Sequence, residues 1–155
     1  MRNSRPEGLL MVMAGAALAF MACDTDEDPQ LRIVSPTAGE TITMTDDMKI
    51  PIVISANDFA IKPPTECGTD QRCGVAYLNI DGDACNQPGK PYNNVLSSGT
   101  LGQDFVVEAL FQYCAPNQRF GNHNVTVSLR KPDGSTVLGE GGVPAAATIS
   151  LVTKM

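Results

Sequence analysis

The sequence predicts an all-β fold, a two-sheet sandwich of about seven short strands. Two observations predict it: from Leu31 onward short apolar runs alternate with clusters of turn residues, and no stretch carries a long helical stripe. The 155 residues suit one domain and leave little room for a second. Hydrophobic residues make up 43%, enough to supply a core.

Leu31 to Val34 reads as the first strand and stops at the turn cluster Ser35-Pro36-Thr37-Ala38-Gly39-Glu40, after which Thr41 to Met44 forms a short strand. Lys49 to Ala56 places Ile50, Ile52 and Ile54 on one parity and Pro51, Val53 and Ser55 on the other. That is a half-buried strand, and Pro51, which has no N–H to give a ladder, assigns it to an edge or a bulge. Gly74 to Ile80 sets Val75, Tyr77 and Asn79 on one face and Ala76, Leu78 and Ile80 on the other. Between Phe105 and Tyr113 two periods compete, because Phe105, Val106, Ala109, Leu110 and Tyr113 have helical spacing while Phe105, Val107, Ala109, Phe111 and Tyr113 share a strand face. The β-branched and aromatic content decides for strand. His123 to Arg130 is the cleanest alternation, with Val125, Val127 and Leu129 inward and Asn124, Thr126, Ser128 and Arg130 outward. Pro132-Asp133-Gly134 turns the chain, and Ala147 to Thr153 supplies the last strand through Ile149, Leu151 or their neighbours.

Charge narrows the function classes. Seventeen Asp and Glu stand against 11 Lys and Arg, a net charge of -6, so the electrostatic attraction that holds proteins to a phosphate backbone is missing and nucleic acid is not an expected partner. One histidine excludes a histidine-rich metal centre. The lack of Trp, with only three Tyr, argues against a sugar site built on aromatic faces.

The N-terminal residues have the plan of an export signal: Arg2 and Arg5 precede an uncharged stretch from Gly8 to Ala22. As a helix that stretch would reach about 22 Å, short of a hydrocarbon core of about 30 Å. Its end, Leu18-Ala19-Phe20-Met21-Ala22-Cys23, resembles the lipobox of bacterial lipoproteins, with Phe20 where that family has an aliphatic residue. The resemblance implies that residues 1–22 are removed and that Cys23 is lipidated and becomes the first residue of the mature chain. A rival cut after Ala17-Leu18-Ala19 would leave a soluble protein starting at Phe20. Cysteine parity favours the lipobox, because lipidation of Cys23 leaves four cysteines to pair, whereas the rival leaves five. Residues 23–30 follow as an acidic tether, with four carboxylates at Asp24, Asp26, Glu27 and Asp28. Removing residues 1–22 takes away two basic residues and one acidic one and leaves a net charge of -7, so only the acyl chains would hold the protein to an anionic membrane.

Residues 31–155 carry a second resemblance. Ile33-Val34-Ser35-Pro36-Thr37-Ala38-Gly39-Glu40-Thr41 is similar to the opening of bacterial immunoglobulin-like domains, where a strand runs into a Ser-Pro-x-x-Gly turn. Phe120-Gly121-Asn122-His123-Asn124-Val125-Thr126-Val127-Ser128-Leu129 resembles their Gly-x-His strand. The implied fold is an immunoglobulin-like sandwich. Related extracellular lipoprotein domains have a Gly-His-x-His-x-x-Ile-Asp stretch, which here is Gly74-Val75-Ala76-Tyr77-Leu78-Asn79-Ile80-Asp81. Both histidines are absent, so a metal role of such relatives does not carry over.

Three constellations remain. Cys67, Cys73, Cys85 and Cys114 allow three pairings, of which we favour Cys67 with Cys73 and Cys85 with Cys114; the absence of close CxxC pairs and an oxidising location argue against zinc. Asp81, Asp83 and Asn86 surround Gly82 with the oxygen ligands that Ca2+ prefers, though without a later bidentate glutamate, and the same residues can simply cap a turn. His123 could act as a base, but Ser97-Ser98-Gly99 has no nucleophile elbow around it, and a histidine opening a strand also serves as a structural hydrogen-bonding residue. The expectation is a non-enzymatic, membrane-tethered module of the cell envelope, facing the periplasm or the cell surface, whose partner is a protein or another envelope component. The alternatives are a calcium- or ligand-binding protein and a small hydrolase using His123.

Overall fold

The computed structural model describes residues 27–100 and 102–155; the predicted signal segment and Cys23 lie outside the described residues. Nine strands are found among the described residues: β1 (Gln30–Ser35), β2 (Thr41–Thr43), β3 (Lys49–Asn57), β4 (Ala60–Ile61), β5 (Cys73–Ile80), β6 (Asn94–Leu96), β7 (Phe105–Leu110), β8 (Gly121–Arg130) and β9 (Ala146–Lys154). A one-turn helix, α1 (Pro64–Cys67), lies between β4 and β5. The smaller sheet has the order β1-β3-β7, and the larger has the order β2-β9-β8-β5-β4 with β6 also paired to β5. The fold is therefore all-β in two sheets. Seven of the nine correspond to the expected strands, and the short β4 and β6 are additional.

The first turn cluster sends the chain from one sheet to the other. β1 pairs antiparallel with β3, and β2 pairs parallel with β9 in the opposite sheet. Between them Gly39 takes φ +80, where a side chain would be strained, and donates its N–H to the Ser150 carbonyl at 2.7 Å, while the Glu40 carboxylate accepts the Thr37 N–H at 2.9 Å.

Period-2 alternation builds the core. Ile50, Ile52 and Ile54 of β3, with Phe105, Val107 and Ala109 of β7, meet Ala76, Leu78 and Ile80 of β5 and Val125, Val127 and Leu129 of β8 in one buried cluster. Complete burial of each Ile, Leu or Val side chain contributes about 1.5–3 kcal/mol.

Two expectations are corrected. β3 is the central strand of its sheet, not an edge; Pro51 is tolerated because β1 has already ended, its last pair being Ser35 with Val53, so only β7 flanks the strand at that point. The strand expected through Tyr113 stops at Leu110, and Phe111–Tyr113 form a 3-10 turn that keeps Phe111 fully buried.

β6 closes the seam between the sheets. Its backbone pairs with β5, and the preceding Asn93 donates its N–H to the Leu78 carbonyl at 2.8 Å. The side chains reach the other way. Asn93, fully buried, accepts the Leu110 N–H at 2.7 Å and donates to the Leu110 carbonyl at 3.0 Å and to the Cys85 carbonyl, and Asn94 donates to the Glu108 carbonyl at 3.1 Å. Asn93→Ala would strand one buried N–H and two carbonyls, and we expect a loss of about 2–4 kcal/mol. Asn94→Ala, losing one half-exposed bond, should cost less than about 1 kcal/mol. Urea unfolding of both variants checks this; equal midpoints would remove the seam from the account.

Candidate functional site

The predicted ligand loop is turned toward the fold. Asp81 follows β5 with φ +50 and continues the ladder to β8, donating its N–H to the Asn124 carbonyl at 2.8 Å. Its two carboxylate oxygens are both engaged: Oδ1 accepts the Asn124 N–H at 2.7 Å and Oδ2 lies 2.7 Å from His123 Nδ1. Asp83 instead accepts a hydrogen bond from Asn86 Nδ2 at 3.3 Å, and Asn86 also donates to the Pro91 carbonyl at 3.0 Å. The loop therefore directs Asp81 to β8 and leaves Asp83 and Asn86 with each other. Among the described residues no group of three or more His, Cys, Asp or Glu is placed to hold a metal ion.

His123 is an inward residue of β8, 4% exposed, with its ring edge-on to Phe111 at 4.9 Å between centroids and 74° between planes. Its Nε2 is buried with no hydrogen-bond partner. An Asp–His pair is half of a hydrolytic triad, and Ser150 lines the same shallow cleft as His123. The pleat separates them. Ser150 pairs with Asn124 and donates to its Oδ1 at 2.7 Å on the outward face, whereas His123 pairs with Leu151 on the inward face. Neither Ser97 nor Ser98, just beyond β6, bonds to His123.

The four domain cysteines form the favoured pairs, Cys67–Cys73 and Cys85–Cys114. They clamp opposite ends of β5. The first ties α1 to the start of that strand; the second ties the loop after β5 to the segment after β7, and so links the two sheets.

Sequence reasoning passed over one surface feature. Tyr77, outward on β5, stacks on Tyr92 with ring centroids 3.7 Å apart and 25° between planes, and the Arg130 guanidinium carbon lies 5.9 Å from the Tyr92 centroid. Tyr77 was placed on one strand face with Val75 and Asn79. Tyr92 sits in a turn-rich segment without periodicity, so no sequence signal joined them.

Two stability outcomes follow. Asp81→Ala would leave His123 Nδ1 and the Asn124 N–H without partners and should cost about 2–3 kcal/mol, whereas Asp83→Ala should stay within about 0.5 kcal/mol of the parent. Equal unfolding midpoints would show that the Asp81 carboxylate holds nothing. In the chain-entropy estimate the Cys85–Cys114 bond, at a sequence separation of 29, contributes about 3–4 kcal/mol, and Cys67–Cys73, at a separation of 6, about 2 kcal/mol. Cys114→Ser should therefore lower the thermal midpoint more than Cys73→Ser, and the reverse order by calorimetry would contradict that assignment. No protein-family model matches the chain, and neither does any curated protein or any solved structure.

Proposed function

We propose that the chain is a lipid-anchored, extracytoplasmic binding or structural module with an immunoglobulin-like sandwich, and that it performs no catalysis. One observation carries the anchor. The two disulfides consume every cysteine of the domain, so Cys23, at the end of the apolar N-terminal stretch, is the one cysteine left over. Paired cysteines belong to an oxidising compartment, and an odd cysteine there calls for modification or an intermolecular partner. Lipidation meets that requirement.

The strand order supports the immunoglobulin-like assignment. A first strand divided between both sheets, a β1-β3-β7 sheet, and an opposing β9-β8-β5-β6 run follow the sandwich layout of that class. The tryptophan of antibody domains is absent, and the inter-sheet bond is Cys85–Cys114, at one end of the sandwich. The non-enzymatic reading is supported by His123, whose free ring nitrogen is buried and whose nearest cleft serine lies on the opposite face of the sheet.

The test is metabolic acyl labelling of the parent and of Cys23→Ala in an exporting bacterial host. We expect label and membrane partition for the parent and neither for the variant. Equal labelling of both, or a soluble parent whose N-terminus is Phe20, would overturn the anchor.

A further inference from the structure

The outward face of the larger sheet holds a groove of about 450 Å³ around the tyrosine stack, bordered by Gln87, Lys90, Asn94 and Val95. The volume falls in the range of small-ligand sites. Four features of its lining select a ligand class.

The first is aromatic surface, because Tyr77 and Tyr92 are both half-buried and bring ring surface to a solvent-facing sheet. The second is unused hydrogen-bonding capacity. The tyrosine hydroxyls, the Gln87 carboxamide and the Lys90 ammonium make no side-chain hydrogen bond or ion pair with another described residue. The third is charge: no carboxylate lines the groove, although the chain is net acidic, and among the described residues neither Lys90 nor nearby Arg130, which donates to Thr136 Oγ1, has a salt-bridge partner. The fourth concerns the backbone of β6, whose Val95 N–H is already taken by Asn94 Oδ1 at 2.8 Å, which disfavours a peptide adding as a strand.

A pyranose meets these features together, contrary to the expectation from the missing Trp, because two of the three Tyr come together in one groove. Its C–H face lies on aromatic rings, its hydroxyls pair with amide and phenol groups, and a carboxylate on the ring pairs with an ammonium. We propose that this groove binds an acidic saccharide, a chain bearing uronic acid residues. The proposal deepens the binding-module reading and rests on it, whereas the lipid on Cys23 does not enter its test, so failure of one leaves the other measurable.

Because the protein has no Trp, its fluorescence comes from Tyr77, Tyr92 and Tyr113, two of which line the groove. Titration of the purified protein with trigalacturonate at low salt should change tyrosine emission saturably in the millimolar range or below, and maltotriose should bind more weakly. Tyr92→Ala should weaken trigalacturonate at least about fivefold through the lost ring surface. Lys90→Gln should weaken it about two- to fivefold, as befits an exposed ion pair, and should erase the preference over maltotriose. Tyr113→Phe, outside the groove, should bind as the parent does. Absence of saturable change through the millimolar range, unaltered affinity in Lys90→Gln, equal binding of maltotriose by the parent, displacement by equimolar inorganic phosphate, or binding of a proline-rich peptide in place of the saccharide would each overturn the proposal.

Discussion

The architecture depends on how two unequal sheets are joined along one side. β7 is an edge strand of the three-stranded sheet, and an edge left open in a buried position strands N–H and carbonyl groups that water cannot reach. β6 meets that need with side chains instead of a backbone ladder. Its main chain belongs to β5, while the carboxamides of Asn93 and Asn94 reach Leu110 and Glu108 of β7. A carboxamide suits the position because it donates and accepts at once, matching the N–H and C=O that Leu110 presents side by side. Placing Asn93 inward also decides its neighbours. Tyr92 lies over Tyr77 on the outward face.

Polar groups that tie sheet ends together recur at the far end of β5. Asp81 turns the chain in the left-handed region and uses both carboxylate oxygens on β8, one on the backbone and one on the His123 ring. Close by, Cys85 and Cys114 link the loops of opposite sheets. The same residue types that suggest calcium or acid–base chemistry on paper thus serve to join strands. What separates the two uses is direction: His123 shares the inward parity of Val125 and Val127, and its ring packs edge-on against Phe111.

Legibility followed the same physics. Long alternating runs such as His123 to Arg130 and Gly74 to Ile80 were readable because burial enforces period 2; the first was assigned inward and outward as found, whereas in the second Val75 is buried on the same face as the half-buried Tyr77 and Asn79. The turn at Ser35 to Glu40 was readable from Pro36 and Gly39, whereas spacing left three cysteine pairings open, of which the favoured one is formed. Pro51 misled, because a missing N–H excludes a residue from a ladder only where a neighbouring strand is present on that side. The segment from Phe105 to Tyr113 satisfied two periods at once and resolved into a strand followed by a tight turn, which no single period could announce. Asn93 was invisible to sequence reasoning. A buried asparagine in a turn-rich segment looks like any loop asparagine until its partners, 8 and 17 residues away, are placed beside it.

An anchor and a lateral groove are geometrically compatible. Pro29 shares a surface cleft with Arg72 and Lys131, which places the start of β1 beside the Cys73 end of β5. Tyr77 stands four residues along that strand, about 13 Å away at about 3.3 Å per residue. On the proposed anchor at Cys23, the six residues before Gln30 span at most about 20 Å, so the groove would sit no more than roughly 35 Å above the lipid headgroups. The four carboxylates of residues 23–30 would repel an anionic bilayer, over a Debye length of only about 8 Å. Beyond that distance the lipid charge no longer acts on ligands approaching the groove. On the proposed reading, Lys90 and Arg130 beside the tyrosine stack are where an anionic ligand would pair, on the outward face of the larger sheet.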